Sequence, residues 1–170
     1  TYPSTKGTPE LRQSISTWLK SRFSLEVDYE TEILPVNGTR EALFSFAQAV
    51  ISDKTNPIVI MPNPFYQIYE GAALLAGAST FFCSSFETNN YLQDFESIPS
   101  ETWRNTELIY ICSPANPTGK SLSDGQIEKL IDLAHQYDFT IASDECYSEI
   151  YSSSHNKPNS LLKISETVSY

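Results

Sequence analysis

Residues 108–119, LIYICSPANPTG, contain the two features that decide the fold. The apolar run 108–112 is typical of a strand that is buried on both faces of a sheet. In the turn that follows, two prolines restrict the backbone on either side of Asn116. Functional residues concentrate in such strand-end loops, so Asn116 is a candidate, although a purely structural turn explains the same residues.

Outward from this stretch, apolar runs alternate with helical patterns along the whole sequence. Such alternation predicts a mainly parallel sheet with helices on both faces, a three-layer α/β/α fold. The polar stretch 84–106 is predicted to cross the surface. Strands are expected near 33–36, 58–61, 80–83, 108–112 and 139–142, and helices near 9–21, 42–51, 65–76 and 123–137.

Two more turns carry candidate chemistry, because ligands of open α/β sheets bind beyond the carboxyl ends of the strands. Residues 37–40, NGTR, open a predicted helix, and the free N–H groups at a helix start suit a phosphate. The alternative is that this glycine turn only connects a strand to a helix and binds no phosphate. Asp144 directly follows the last predicted strand, where a buried carboxylate needs a partner or a proton. For Asp144 the alternative is a structural cap on a neighbouring helix.

The composition limits the kinds of molecule that the protein is expected to bind. Eleven Lys and Arg against twenty-one Asp and Glu give a net charge of −10, a poor match to nucleic acid or to an anionic membrane. No apolar run reaches the roughly 18 residues that span a bilayer, and the start lacks a signal pattern, so a cytoplasmic protein that binds a small molecule or another protein is expected. The glycine patterns of dinucleotide and nucleoside-triphosphate sites are absent.

The cysteines and histidines indicate no metal site. Cys83 and Cys112 lie in apolar runs, where cysteine is usually a small buried hydrophobe, and Cys146 follows Asp144. We expect reduced, structural thiols. His135 and His155 do not stand at metal-ligand spacing, so no metal is expected.

Four segments, taken in order, resemble the class I and II aminotransferases, which are fold-type-I pyridoxal-phosphate enzymes. Residues 2–12 are similar to the family's Tyr-Pro segment and its Gly-x-x-x-Leu-Arg motif, and residues 37–43, NGTREAL, to its phosphate-binding turn. Residues 116–119 resemble the Asn-Pro-Thr-Gly signature, and residues 144–147, DECY, resemble Asp-Glu-x-Tyr. The resemblance covers nearly the whole chain and implies the large, cofactor-binding domain of that fold.

This resemblance implies pyridoxal 5'-phosphate as the cofactor. Asp144 would pair with the protonated ring nitrogen, and Asn116 and Tyr147 would hydrogen-bond the phenolic oxygen of the ring. These three are the candidate catalytic residues, and they would also bind the cofactor. The other implied cofactor contacts are Gly38 with the backbone N–H groups of Thr39 and Arg40 at the phosphate, Tyr66 (or Phe65, if the register differs by one) stacked on the ring, and Tyr2 reaching the phosphate across a dimer interface.

The implied activity is transfer of an amino group between an amino acid and a 2-oxo acid by a homodimer. Among subfamilies, residues 37–44 and 62–78 are most similar to the bacterial succinyldiaminopimelate aminotransferases of lysine biosynthesis. Two alternatives stay open. Carbon–sulfur lyases and related enzymes share the same cofactor-binding turns, and a non-catalytic α/β interaction domain would keep the turns only as structure.

Two parts of the family pattern are missing from this sequence. The Schiff-base lysine and the arginine that binds the substrate carboxylate lie beyond the DECY segment in the family. Lys157 and Lys163 follow that segment but lack the motif around the lysine. Residues 1–170 are therefore expected to be part of the large domain, without the lysine segment or the small domain, and to be inactive alone.

Overall fold

The computed structural model describes residues 2–52, 54–152 and 157–167. Its centre is a parallel sheet of four strands in the order β2-β1-β3-β4. The strands are β1 Ile58–Asn63, β2 Ser79–Ser84, β3 Thr106–Cys112 and β4 Thr140–Asp144. The helices are α1 Pro9–Phe23, α2 Thr39–Val50, α3 Gln67–Leu75, α4 Ser100–Asn105, α5 Asp124–Tyr137 and α6 Leu161–Thr167, and two short 3₁₀ turns lie at Glu87–Asn89 and Phe95–Ser97.

The order of the strands places a crevice at one edge of the sheet. From β1 the chain passes through α3 to β2 on one side, and it then returns to form β3 on the other side of β1. The carboxyl ends of all four strands lie at the same edge, because every pairing is parallel. The change of direction between β1 and β3 is the position at which open α/β sheets bind their ligands.

Alternating residues of the central strands divide the core into two layers. Val59 and Leu108 pack with Ala47 of α2 and with α3, and all three of these residues are fully buried. Ile60 and Ile109 point to the opposite face, toward α5 and α6. Helices thus cover both faces of a wholly parallel sheet, which confirms the predicted three-layer α/β/α fold.

Local capping fixes the helix ends where the sequence predicts them. The side-chain oxygen of Thr8 accepts a hydrogen bond from the Leu11 N–H at 3.3 Å, at the start of α1. Ser123 and Gln126 form a reciprocal capping box at the start of α5. Gly77 follows α3 with φ +84°, a conformation that costs glycine little.

The predicted strand at 33–36 is wrong. This segment forms no strand, and the side chains of Leu34 and Val36 are 65% and 47% exposed. Pro35 has no N–H to donate to a sheet, which removes a ladder hydrogen bond from a run of only four residues. The apolar pattern here marks a surface groove rather than a core strand.

The stretch 84–106 is not the surface excursion that its polar composition predicts. Phe95, Ile98 and Trp103 are buried at 6%, 5% and 3% exposure. Trp103 stacks on Phe139, with ring centroids 5.4 Å apart and an interplanar angle of 17°. Three apolar anchors spread among polar residues are too sparse for a periodic signal, yet they close the α5 face of the sheet.

Cys83 and Cys112 are buried, as predicted, and Cys146 is exposed. Within the described part of the chain, no helix is long and apolar enough to cross a membrane. No group of three or more metal-ligating side chains is found among residues 2–52, 54–152 and 157–167. His155 lies outside these described residues.

Candidate active site at the carboxyl ends of the strands

The three predicted functional turns meet at one cavity of about 530 Å³, which we call the strand-end cavity. Each turn follows a strand or opens a helix at the carboxyl edge of the sheet, so the parallel topology alone brings them together. The lining residues that the sequence singled out are Thr39, Arg40, Phe65, Tyr66, Asn116, Asp144, Cys146 and Tyr147.

Asp144 ends β4 and directs its carboxylate into the strand-end cavity. One oxygen, Oδ2, accepts a hydrogen bond from the Tyr69 hydroxyl at 2.7 Å. The other, Oδ1, accepts the backbone N–H of Cys146 at 3.3 Å. A carboxylate has about four acceptor positions, so these two donors leave capacity for a further donor in the cavity.

Tyr69 is a member of the site that the sequence analysis missed. Its ring lies parallel to that of Tyr110, with centroids 4.5 Å apart and an interplanar angle of 10°. Burial raises the pKa of Tyr69, and the hydrogen bond to Asp144 raises it further, so its hydroxyl stays protonated. Burial likewise raises the pKa of Tyr110 to about 12, and its hydroxyl donates to the Leu43 carbonyl at 2.7 Å.

Asn116 and Tyr147 form a second polar group on the cavity wall. The amide nitrogen of Asn116 donates to the Tyr147 hydroxyl at 3.1 Å, across 31 residues of sequence. The Tyr147 hydroxyl keeps its own proton to donate, and the amide of Asn116 has a second N–H. Together they present donors to any oxygen in the cavity.

The start of α2 forms another part of the wall. Thr39 and Arg40 are exposed and line the cavity, and their backbone N–H groups belong to the first turn of the helix, which has no intrahelical acceptors for them. Gly38 precedes the helix with φ 168°, an extended conformation open to any residue, and an added Cβ would meet only the flexible end of Glu41, at 2.7 Å. The backbone itself therefore does not require glycine at 38.

The two candidate stacking rings both line the cavity but differ in their packing. Tyr66 is 37% exposed at the cavity and packs edge-on against Tyr69, with centroids 5.8 Å apart. Phe65 also reaches the cavity but packs against Phe82, at 5.1 Å between centroids. Tyr2 does not line the cavity of its own chain, and it is 98% exposed.

Glu145 and Arg12, which belong to the same sequence motifs, have structural contacts instead. The Glu145 carboxylate accepts the Ser143 hydroxyl at 2.8 Å and the Leu161 N–H at 2.9 Å, at the start of α6. Arg12 is 5% exposed and donates to the Tyr29 carbonyl at 2.8 Å, a contact that anchors α1.

Lys157 and Lys163 lie away from the strand-end cavity. Both line a separate cavity of about 530 Å³ beside Arg22 and Ser121. The Lys157 ammonium lies over the ring of Tyr151, 5.6 Å from its centroid. Neither lysine lines the strand-end cavity with Asp144.

Comparison with known proteins agrees with the geometry of the strand-end cavity. Residues 1–169 match the sequence model of the family described as aminotransferase class I and II, and the chain therefore belongs to that family. Enzymes of this family depend on pyridoxal phosphate.

Several particular relatives and solved structures are similar to the chain. An LL-diaminopimelate aminotransferase of Aquifex aeolicus is 36% identical over 163 residues, which are 96% of this chain and 41% of that protein. The enzyme of that name from Nitratidesulfovibrio vulgaris is 34% identical over 96% of this chain and 42% of its own length. A crystal structure of an aminotransferase from Neisseria meningitidis is 48% identical, with a TM-score of 0.92, and covers 98% of this chain and 42% of its own. The chain thus spans about two fifths of these relatives' length.

The groups around the strand-end cavity are chemically suited to pyridoxal phosphate. A carboxylate with spare acceptor capacity matches a protonated ring nitrogen, and paired amide and hydroxyl donors match a phenolic oxygen. The free N–H groups at the start of α2 match a phosphate. An exposed aromatic face, that of Tyr66, completes the set.

Proposed function

We propose that this chain is the cofactor-binding part of an aminotransferase that moves an amino group between an amino acid and a 2-oxo acid through pyridoxal phosphate. One observation carries the proposal. A carboxylate, an amide–phenol pair and a helix start, which come from three separate segments, converge on one cavity.

In this proposal Asp144 is the residue on which catalysis depends most. The cofactor, when bound, supplies an electron sink for the electrons left on the substrate as it loses its α-proton. Asp144 would hold the proton on the ring nitrogen, because a negative carboxylate stabilises the positive pyridinium in a partly buried site. Without that charge the ring nitrogen would lose its proton and withdraw electrons less strongly.

The other cavity residues would position the cofactor. Asn116 and Tyr147 would donate hydrogen bonds to its phenolic oxygen, and Tyr66 would cover one face of its ring. The backbone N–H groups of Thr39 and Arg40, after the turn at Gly38, would bind its phosphate. These contacts fix where the reacting substrate bond lies relative to the ring.

The proposed assembly is a cytoplasmic homodimer. A groove of about 1000 Å³ runs along one side of the chain, lined by apolar side chains that include Leu11, Leu34, Val36 and Phe46. Each of these four is at least 38% exposed, which favours burial against a second copy. Tyr2, which precedes Pro3 of this groove, would then reach the partner's phosphate site.

We further propose that residues 1–170 are part of the large domain and that the lysine and the substrate-binding arginine lie on other segments. The position of Lys157 and Lys163 in a separate cavity supports this division. So does the fraction of the relatives that the chain covers, which is 41% and 42%. The stretch alone would then bind the cofactor weakly and would not turn over.

For the substrate we propose an amino acid of the diaminopimelate type, in lysine biosynthesis. The relatives named LL-diaminopimelate aminotransferase support this class. The sequence resemblance of residues 37–44 and 62–78 to succinyldiaminopimelate aminotransferases suggests the succinylated form of the same amino acid as a second candidate. The two candidate substrates, LL-diaminopimelate and N-succinyl-diaminopimelate, differ in whether one amino group carries a succinyl group.

The test uses the full-length protein purified with pyridoxal phosphate. We expect the cofactor absorption band and transfer of an amino group from glutamate, or the reverse transfer to 2-oxoglutarate. In the reverse reaction, N-succinyl-diaminopimelate and LL-diaminopimelate are compared side by side as amino donors. Release of pyruvate and ammonia from cystathionine would favour the carbon–sulfur lyase instead. Absence of cofactor binding in the full-length protein would favour a non-catalytic domain.

A further inference from the structure

We propose that Tyr69 is a positioning residue, which orients the Asp144 carboxylate so that one oxygen stays aimed at the ring nitrogen of the cofactor. This inference rests on the proposed function, since it concerns the residue that the function depends on most. It assigns a role to a side chain that the sequence analysis did not single out.

The first support is the contact itself. The Tyr69 hydroxyl lies 2.7 Å from Asp144 Oδ2, a bond between residues 75 apart in sequence. The other carboxylate oxygen, Oδ1, accepts the backbone N–H of Cys146 at 3.3 Å. The bond from Tyr69 is the shorter of the two, at 2.7 Å against 3.3 Å, so it restricts the rotation of the carboxylate more strongly.

The second support is the direction of the hydrogen bond. The hydroxyl of Tyr69 remains protonated, because burial raises its pKa and the neighbouring carboxylate raises it further. It therefore donates, and a bond donated to a carboxylate favours the ionised form of that carboxylate. An ionised Asp144 is the form that pairs with a pyridinium.

The third support is the rigidity of the donor. The Tyr69 side chain is 2% exposed and stacks face to face on Tyr110, with ring centroids 4.5 Å apart. Tyr66 also packs against it, edge-on at 5.8 Å between ring centroids. A buried ring held by two neighbours cannot swing away, so the hydroxyl acts as a fixed point for Asp144.

Tyr110 offers a matched control. It is buried to 1% exposure in the same stack, and its hydroxyl also makes one bond of 2.7 Å, but to the Leu43 carbonyl rather than to Asp144. Tyr69→Phe and Tyr110→Phe therefore remove the same atom from adjacent rings. Any effect of lost packing or lost hydroxyl is shared, and only the first variant changes the donor to Asp144.

The experiment compares these two variants in the full-length protein with its cofactor. Removing a hydrogen bond to a charged group corresponds to about a ten- to hundredfold loss. We expect Tyr69→Phe to lower kcat by about that factor with little change in KM, and Tyr110→Phe to stay within about threefold. Protonation of the ring nitrogen can be followed by ¹⁵N NMR of labelled pyridoxal phosphate across pH. The midpoint of this protonation should shift to lower pH in Tyr69→Phe but not in Tyr110→Phe.

A double variant separates this inference from the proposed function. In an Asp144→Asn background, Tyr69→Phe should add little further loss, because the carboxylate it positions is gone. Equal effects of Tyr69→Phe and Tyr110→Phe on kcat and on the NMR shift, with Asp144→Asn still inactive, would overturn the role of Tyr69 alone. Full activity of Asp144→Asn would instead overturn the proposed function.

If Tyr69→Phe does not fold, 3,5-difluorotyrosine at position 69 keeps the shape of the ring and makes the hydroxyl a stronger donor. The ¹⁵N signal should then move in the direction opposite to that expected for the loss of the hydroxyl. An unchanged signal would contradict the proposal.

Discussion

Two carboxylates at opposite edges of the same sheet show how one fold separates stability from chemistry. Glu107 lies at the amino end of β3 and is 5% exposed. Its oxygens accept the Ser52 N–H at 2.6 Å and the Ser52 hydroxyl at 2.7 Å, with the Lys54 ammonium 3.7 Å away. Asp144, at the carboxyl end of β4, has two donors and faces an open cavity.

The two carboxylates differ in how much hydrogen-bond acceptor capacity each has left for a ligand. Glu107 is enclosed by donors of its own chain, so its charge ties the end of α2 to the sheet and is already compensated. Asp144 is held in place but retains acceptor capacity toward the cavity. We therefore expect changes at Asp144 to affect cofactor chemistry, and changes at Glu107 to affect stability.

The largest expected effect is that of Asp144→Ala on turnover in the full-length protein. Leaving a buried pyridinium without its counter-charge costs about 3 to 5 kcal/mol, or about two to four powers of ten in rate. Steady-state amino transfer measures this loss, with Asp132→Ala, at an exposed position on α5, as the control. Turnover within tenfold of the unmodified protein, with the fold intact, would break the contrast between the two carboxylates.

Next in size is the effect of Glu107→Gln on stability. Replacing a charged acceptor of two short hydrogen bonds should lower the free energy of unfolding by about 1 to 3 kcal/mol. Urea denaturation of the apoprotein measures it. Glu101→Gln, which disturbs only an exposed ion pair with Arg104, should change the unfolding free energy by less than about 1 kcal/mol. A matching loss of cofactor affinity in Glu107→Gln would show that the two edges are coupled.

A smaller effect is expected on the free energy of unfolding at acidic pH. Burial acts to raise the pKa of Glu107, but the hydrogen bonds from Ser52 and the charge of Lys54 outweigh it and hold the pKa below its ordinary value of 4.5. The stabilisation by the ionised group is therefore complete above about pH 4.5 and is lost as the pH falls through the lowered pKa of the folded protein. The difference in unfolding free energy between the unmodified protein and Glu107→Gln should shrink below that pH. A difference that grows in acid would contradict this assignment.

Much of the site could be predicted because parallel topology does the assembling. Once strands and helices alternate, the residues after each strand must share one edge, and Asn116 and Asp144 follow directly. Tyr69 could not be predicted in that way. Its bond to Asp144 depends on how α3 packs on the sheet, and the only hint is its spacing of three residues from Tyr66, which places both on one side of the helix start.

The fold was less predictable where apolar residues were few or were interrupted. At 33–36 the apolar run suggested a strand, but Pro35 removes a donor and the segment lines the exposed groove instead. Between 84 and 106 the polar composition hid Phe95 and Trp103, whose burial is fixed by long-range contacts. Composition reports the average of a segment, whereas the core depends on individual anchors.

The smallest expected effect is that of Thr39→Ala at the open edge. We propose that the phosphate is bound by backbone N–H groups, so removing the exposed side chain of Thr39 should change the cofactor dissociation constant by less than about threefold. Thr39→Pro is the matched contrast. Proline suits the first position of a helix and Gly38 before it is already extended, so this variant keeps α2 but removes the N–H in question. Titration of the apoprotein with pyridoxal phosphate should show weaker binding for Thr39→Pro, by about tenfold or more, if that N–H contacts the phosphate. Equal affinities of the two variants would mean that the start of α2 does not hold the phosphate and that Asp144 alone marks the open edge as functional.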